Sequence, residues 1–557
     1  MSQLRSGGQI LVDQLKIHGA DLAFCVPGES YLAVLDALYD AREQIKLITC
    51  RHEAGAANMA EAYGKLTGRP GICFVTRGPG ATHASIGLHT ALQDSTPMIL
   101  FIGQVARDQG EREAFQEIDY RRMLAPLTKW VAEVPSAERL PEFISRAFHT
   151  AVAGRAGPVA LALPEDMLTE RVVAVDSRAY QRVSAAPRSE DMARLADILS
   201  SAERPLAVVG GGGWSLQACE DVLRFLEAWN LPAVTSFRGK DRLDNRHPLY
   251  VGDMGIGIDP KLAQRIGQSD ALIVIGPRLG EMTTNGYTRV VPPVPAQRLV
   301  HVYPSGEELN RVYQAELGIV SGMGAFGKAA AALKPPAPVR WKAWAAAARA
   351  DYEAFVRPVA VEGAVNPSEI FAWLNERLPA DAIYTNGAGN YAGWLHRFHL
   401  HRRFNTQLAP TSGAMGYGVP AAIAAKAVHP ERVVVACAGD GCFLMNGQEL
   451  ATAGQYGLNI VVLVFNNAMY GTIRMHQERD YPARVVGTDL QNPDFAAYAK
   501  AFGFWSATVR ATGEFAGAFD AALASGKPAL IEVITEPEAI TPTATLSGIR
   551  KAALNRT

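Results

Sequence analysis

The sequence predicts an α/β protein built of three doubly wound domains with mostly parallel sheets. Short apolar runs recur along the chain at residues 71–76 (GICFVT), 98–103 (MILFIG), 206–210 (LAVVG), 271–276 (ALIVIG), 433–438 (VVVACA) and 460–465 (IVVLVF). Apolar runs of this length suit strands buried on both faces, as in parallel sheets. Ala-rich, helix-like runs alternate with them, which is the pattern of strand–helix–strand crossovers. Several runs also end in glycine-rich turns, the edge at which open α/β sheets receive ligands.

The domains follow from the breaks in this pattern. Residues 176–190 (DSRAYQRVSAAPRSE) are polar and without strand periodicity. Residues 334–366 begin KPPAPVR, where proline blocks regular structure, carry an Ala-rich helix over 341–355 and end in VEGAVN. Cutting there gives domains at residues 1–175, 190–334 and 364–540. A loose tail is expected at 541–557, because Pro and Thr are scattered from about Glu536 onward. Three domains agree with a length of 557 residues, at about 150 residues per domain.

Composition excludes several classes of function. The 54 Lys and Arg against 55 Asp and Glu leave a net charge of −1, which argues against a nucleic-acid-binding surface. No apolar run is long enough to span a bilayer, and the first residues lack the apolar core of a signal peptide. None of the six cysteines forms a CxxC pair, so buried free thiols and a cytoplasmic location are expected. The 51 glycines exceed the usual share of about 7% and suggest close backbone approaches, as nucleotide-type sites need.

The motif richest in chemistry lies in the third domain. The strand at 433–438 runs into Gly439-Asp440-Gly441, and the strand at 459–465 runs into Asn466-Asn467, with 24 residues between Gly441 and Asn466. That length accommodates one helix and a return. The resulting parallel unit would set Asp440 beside Asn467 at the C-terminal edge of the strands. A carboxylate and an amide oxygen there suit Mg²⁺, which takes oxygen ligands and shares its shell with phosphates. The glycines let a diphosphate approach the backbone.

This stretch resembles the diphosphate-binding motif of thiamine-diphosphate enzymes. The resemblance implies Mg²⁺ held by Asp440, Asn467 and the main-chain carbonyl of Met469. Gly439, Gly441 and Cys442 would then contact the cofactor. It also demands an activating glutamate in a separate pyrimidine-binding domain. Arg51-His52-Glu53, the small-residue run AGAANMAEAYGKLT and the turn Gly78-Pro79-Gly80-Ala81-Thr82 resemble the acetolactate-synthase branch of that superfamily. Glu53 is thereby the implied catalytic carboxyl, exchanging a proton with the aminopyrimidine ring. Ser412-Gly413-Ala414-Met415-Gly416 resembles the segment that bends the cofactor, with Met415 as the apolar wedge and the Gly413 carbonyl accepting from the 4′ nitrogen. Gly389, Asn390 and Tyr391, in NGAGNYAGW, sit where relatives contact the diphosphate.

The same resemblance implies the reaction. Gly103-Gln104-Val105, Ala114-Phe115-Gln116-Glu117 and Thr128-Lys129-Trp130 look like elements of acetolactate synthases, with Phe115 and Gln116 lining the substrate cavity and Lys129 near its entrance. The implied function is decarboxylation of a 2-oxo acid such as pyruvate, followed by attack on a second carbonyl. A simple decarboxylase, a 2-hydroxyacyl lyase, a flavin-dependent oxidase and a catalytically silent relative stay open as alternatives. At least a homodimer is implied, or a homotetramer, with the active site at the subunit interface.

The chain departs from the branch at specific places. Pro27-Gly28-Glu29-Ser30 stands where acetolactate synthases usually show PGGA. Arg77 replaces Ser before the GPGAT turn, and His476 holds the position of a specificity tryptophan. Cavity shape decides donor and acceptor, with Glu29, Arg77, His83, Phe115, Gln116, Thr472, Ile473 and His476 as contributors. Bound FAD stays open: Gly276-Pro277-Arg278 resembles the flavin-side segment and Gly210–Gly213 follows a strand, but GxGxxG is absent.

Overall fold

The computed structural model describes residues 4–336 and 338–556. Three six-stranded sheets, each wholly parallel, form its framework. The expected α/β class with three sheet domains is therefore the one observed.

The chain divides into two compact units. One holds residues 4–183 together with 410–430 and 444–459. Its sheet runs in the order Lys46–Thr49, Leu22–Cys25, Gly71–Val75, Met98–Gln104, Pro158–Pro164, Trp130–Glu133. The four inner strands are buried along their whole length, which explains their unbroken apolar runs. The helix Glu53–Thr67 packs on the helix Pro79–Asp94 and on the helix Gly418–Val428. Its small residues make this approach possible: a Cβ on Gly87 would lie 2.4 Å from that of Ala57, and one on Gly64 would lie 2.2 Å from the Pro97 carbonyl oxygen. The AGAANMAEAYG run is thus a packing surface.

The other unit holds the described residues of 184–409, 431–443 and 460–556 and contains two sheets. The first runs Tyr250–Met254, Ala233–Ser236, Pro205–Val209, Ala271–Ile275, Arg298–Tyr303, Leu317–Val320. The second runs Gln407–Leu408, Ile383–Asn386, Val434–Gly439, Val461–Asn466, Ala529–Ile534, Trp505–Val509. Of the expected linker at 176–190, residues 176–188 carry no helix or strand and the helix Ser189–Ser201 begins within its last two positions; a helix at Lys342–Phe355 follows the proline-rich stretch.

Of the glycines at 210–213, Gly210 and Gly211 have a packing role. A Cβ on Gly210 would overlap the Ser236 hydroxyl, and one on Gly211 would overlap the Gly276 carbonyl oxygen, at 1.9 and 2.1 Å. Trp214 closes the turn by donating its indole N–H to the Gly210 carbonyl at 2.7 Å.

The end of the chain corrects the expectation of a loose tail. Leu546–Leu554 is a helix, capped by the Thr545 hydroxyl and packed on the helix Gly471–Asp480. Arg550 reaches back with two nitrogens to the fully buried Glu478 carboxylate, at 2.7 and 2.5 Å, and Arg474 adds a third bond at 3.3 Å. The scattered prolines all precede this helix, so they delimit it without breaking it. The Arg550 bond is the main reason the Glu478 carboxyl is pulled down to about 2. A carboxyl depressed on folding contributes stability above its ordinary range, and that stability is lost as pH falls through the folded value. Glu478→Gln is therefore expected to lower the melting temperature by a few degrees at pH 7, with the gap to wild type closing between about pH 4.5 and 2. Melting curves over that range check it.

Candidate active site

Glu53 opens its helix. The strand Lys46–Thr49 ends, a three-residue turn follows, and His52 caps the helix by accepting the Ala54 N–H at Nδ1, at 3.1 Å. The Glu53 side chain is mostly enclosed. Its Oε2 lies 2.9 Å from Nδ1 of His83 on the helix Pro79–Asp94, and its Oε1 faces Gly80. That second helix starts at Gly78, whose φ of 57° is left-handed and suits glycine. The Gly78 N–H donates to the Tyr120 hydroxyl at 2.8 Å, and Pro79 takes the first helical turn, where its missing N–H is harmless.

The turn before Glu53 is held by a residue the sequence reading missed. Glu449 is completely buried, and its carboxylate accepts the backbone N–H groups of Arg51 at 3.0 Å and His52 at 2.9 Å, and the Thr452 hydroxyl at 2.5 Å. Burial raises the proton affinity of Glu449, and these donors offset that effect. Gly55 makes room for it, since a Cβ there would lie 2.5 Å from Glu449 Oε1. With three donors on the carboxylate, it cannot swing aside cheaply. Gly55→Ala is expected to destabilise the protein by about 1–3 kcal/mol. The same change shifts the start of the Glu53 helix, so kcat should fall about tenfold, read by melting and steady-state rates.

Gly413 and Met415 lie in the same unit, in a turn segment anchored at both ends. The Thr411 N–H donates to Asp94 at 2.8 Å and the Ser412 hydroxyl meets that of Thr90 at 3.2 Å. Past Met415, the Tyr417 hydroxyl donates to the buried Glu61 at 2.5 Å. Lys65 links Glu61 and Asp94 into one buried network. Met415 is half-buried and Gly413 exposed.

Five residues expected to shape the substrate cavity or its entrance, Glu29, Arg77, Phe115, Gln116 and Lys129, also belong to this unit. Gln116 lies against Gly78, with a φ of 66° and a buried Oε1 that has no hydrogen-bond partner. Phe115 is 72% exposed, and its carbonyl accepts from Arg77 Nε at 3.1 Å. Arg77 is buried against Glu165 at 3.0 Å, with Glu29 at 3.9 Å. Lys129 sits differently: its ammonium donates to the carbonyls of Thr150 and Ala153, at the C-terminal end of the helix Leu140–Val152. A helix C-terminus attracts a cation, so these contacts are those of a capping lysine.

The other unit carries the motif around Asp440. Val434–Gly439 and Val461–Asn466 are adjacent and parallel, with Gly439 opposite Phe465, so the two motif ends meet at one sheet edge. Asp440 is 3% exposed. Its Oδ1 accepts the Gly441 N–H at 2.9 Å and its Oδ2 accepts from Asn492 at 2.8 Å. The N–H groups of Met469 and Ala468 also face it. Burial raises the proton affinity of Asp440, and the groups that oppose this are all neutral donors. A buried carboxylate served only by neutral donors, beside amide and carbonyl oxygens, fits a hard cation.

Asn492 is a second residue the sequence reading missed. Its amide bridges Asp440 and the Asn466 oxygen, at 2.8 and 2.9 Å. Asn466 also donates to Glu532, while Asn467 lies against Gly471. The Met469 carbonyl accepts the Gly471 N–H at 2.9 Å.

Tyrosine rings fill the places where glycine side chains would be. Tyr391 lies 2.9 Å from a Cβ position on both Gly389 and Gly439, and Tyr470 lies 2.5 Å from that of Gly441. The Tyr391 hydroxyl accepts the Gly387 N–H at 3.0 Å and meets Cys442 Sγ at 3.3 Å. Tyr391 is therefore a buried strut under the loop. Asn390 accepts from the Thr472 hydroxyl at 2.9 Å and donates to the Ile540 carbonyl at 3.2 Å. Thr472, Ile473 and His476 share the helix Gly471–Asp480. Ile473 is exposed there, and the buried Nδ1 of His476 has no hydrogen-bond partner. All six cysteines are buried and none is in a disulfide, and no described helix is long and apolar enough to cross a membrane.

Known proteins match this chain along most of its length. Residues 5–123 match the N-terminal TPP binding domain of thiamine pyrophosphate enzymes, residues 192–330 the central domain, and residues 387–533 the C-terminal TPP binding domain. The acetolactate synthase large subunit of Parasynechococcus marenigrum is 32% identical over 549 residues, covering 95% of this chain and 88% of that one. The acetolactate synthase isozyme 2 large subunit of Escherichia coli is 31% identical over 543 residues, covering 96% and 97%. A probable acetolactate synthase large subunit of Methanocaldococcus jannaschii is 28% identical over 557 residues, covering 96% and 93%.

Proposed function

This chain belongs to the thiamine pyrophosphate enzyme family, and we propose that it is a carboligase of the acetolactate-synthase type, releasing CO₂ from a 2-oxo acid such as pyruvate and joining the remainder to a second carbonyl compound. The observation that carries this reading is Glu53, a carboxyl at the start of a helix, enclosed and oriented on both sides. Thiamine diphosphate, when bound, would supply a carbon nucleophile for the keto carbon and a sink for the electrons left when CO₂ departs.

The protein's own groups do the rest. Glu53 exchanges a proton with the pyrimidine ring nitrogen through its carboxyl. The Gly413 carbonyl would accept from the exocyclic amino group of the cofactor, and Met415 would offer it an apolar support. Asp440, Asn467 and the Met469 carbonyl would hold Mg²⁺ against the diphosphate, with Gly389, Asn390, Gly439, Gly441 and Cys442 forming the surrounding loops. Glu29, Phe115, Gln116, Thr472, Ile473 and His476 would shape the substrate cavity. The working form is a homodimer or homotetramer with the active site between subunits, in the cytoplasm.

The test is incubation with thiamine diphosphate, Mg²⁺ and a panel of 2-oxo acids, with and without aldehydes. CO₂ and the 2-hydroxy ketone or 2-hydroxy-3-oxo acid product are measured separately, and mass is read by light scattering. CO₂ without a condensation product would make the enzyme a decarboxylase and sink the carboligase reading.

A further inference from the structure

Glu53 has a titratable neighbour whose role the reaction above leaves unassigned. His83 comes from a different helix, and its Nδ1 lies 2.9 Å from Glu53 Oε2. Its ring stacks on His52 with centroids 4.4 Å apart and planes 29° apart. His52 is itself fixed by the Ala54 N–H, so the plane of His83 is set by a ring that cannot turn freely. The side chain of Glu53 is 13% exposed and that of His83 49%, so the imidazole can exchange protons with water while the carboxyl is sheltered. One carboxyl oxygen is thus taken by the imidazole, leaving Oε1, on the Gly80 side, for the cofactor.

We propose that His83 is a positioning residue for Glu53, orienting its carboxyl when the imidazole is neutral and drawing its negative charge away when the imidazole is protonated. The proposal rests on the reading of Glu53 as the proton-exchanging carboxyl. Neutral His83 donates Nδ1–H to Oε2 and fixes the rotamer. Imidazolium turns that contact into a charge-assisted ion pair, which is stronger and competes with the pyrimidine nitrogen for the same carboxylate. Cofactor activation should therefore decline as pH falls through the imidazole titration.

Several other ionisable groups surround the pair. Tyr31 and Cys73, which both sense the charge of Glu53, are buried and pushed upward, so they stay neutral. Arg51 and Glu449 belong to the turn before Glu53, where Glu449 accepts the Arg51 and His52 N–H groups. His52 is pushed down by burial and then by His83, so the two rings resist being charged together.

Two measurements test this. In cofactor-free protein carrying isotope-labelled histidine, the His83 resonance is assigned from its loss in His83→Asn. Removing the anion by Glu53→Gln should lower its midpoint by about one pH unit, a tenfold change in proton affinity. An unchanged midpoint overturns the proposal. In protein loaded with thiamine diphosphate and Mg²⁺, exchange of the thiazolium C2 proton for deuterium is followed by quenching and NMR. Asparagine keeps an N–H for Oε2 but does not titrate. Wild type should slow about tenfold between pH 7.5 and 5.5, whereas His83→Asn should change less than about threefold at similar cofactor affinity. An identical acid limb in both also overturns it. Glu53→Gln is the control: if it still exchanges normally, the reading of Glu53 has failed and the role of His83 falls with it.

Discussion

Glu53→Gln is expected to lower the rate of CO₂ release from pyruvate by about 10²–10⁴-fold, the usual contribution of a positioned acid–base group. Glutamine has nearly the same shape and keeps an oxygen for His83, so the helix start and the Glu449 contacts should survive. The loss would then be one of proton transfer and not of folding. Titration calorimetry should show thiamine diphosphate binding within about threefold of wild type, and the melting curve should be unchanged. A variant that binds cofactor normally and turns over at the wild-type rate would remove Glu53 from the mechanism. The change also tests the silent-relative alternative, because an inactive wild type would have no rate to lose.

Asp440→Ala is expected to abolish Mg²⁺-dependent cofactor binding, raising Kd by more than about 100-fold. The carboxylate is the one formal charge in the proposed ligand set, and its burial makes an interaction with a divalent cation strong. Alanine also strands the Asn492 amide, which donates to Asp440 in the intact protein. The cleanest reading is thermal. Saturating thiamine diphosphate and Mg²⁺ should stabilise wild type by about 2.7 kcal/mol at 100 times Kd and leave Asp440→Ala unshifted. EDTA should remove the wild-type shift and change nothing in the variant. Retention of the shift in Asp440→Ala would move the metal elsewhere.

Local pattern carried much of the fold into view. The strands read from apolar runs agree with those observed to within about one residue: Gly71–Val75 for 71–76, Val434–Gly439 for 433–438 and Val461–Asn466 for 460–465. Strands buried on both faces leave a signal that needs no partner to be recognised. The meeting of the two motif ends was legible for a similar reason, because 24 residues permit one crossover and that crossover has one hand. The chain's end was not legible. Its helix depends on Arg550 meeting Glu478, 72 residues away.

The sequence by itself determined the fold class, the family, the helix start that presents Glu53 and the sheet edge that presents Asp440. Those properties are written in periodicity, spacing and motif, which act over a few tens of residues. Only the tertiary structure decided what surrounds these groups. Glu449 reaches the His52 N–H across 397 positions, and Asn492 reaches Asp440 across 52. Tyr391 is a buried strut, Lys129 caps a helix, and the glycines at 210 and 211 serve close packing against Ser236 and Gly276. His83 meets Glu53 because two helices lined with small residues approach closely enough for one carboxyl to find one imidazole. Hydrogen bonds of this kind depend on distances of a few tenths of an ångström between distant segments, and packing alone sets those distances.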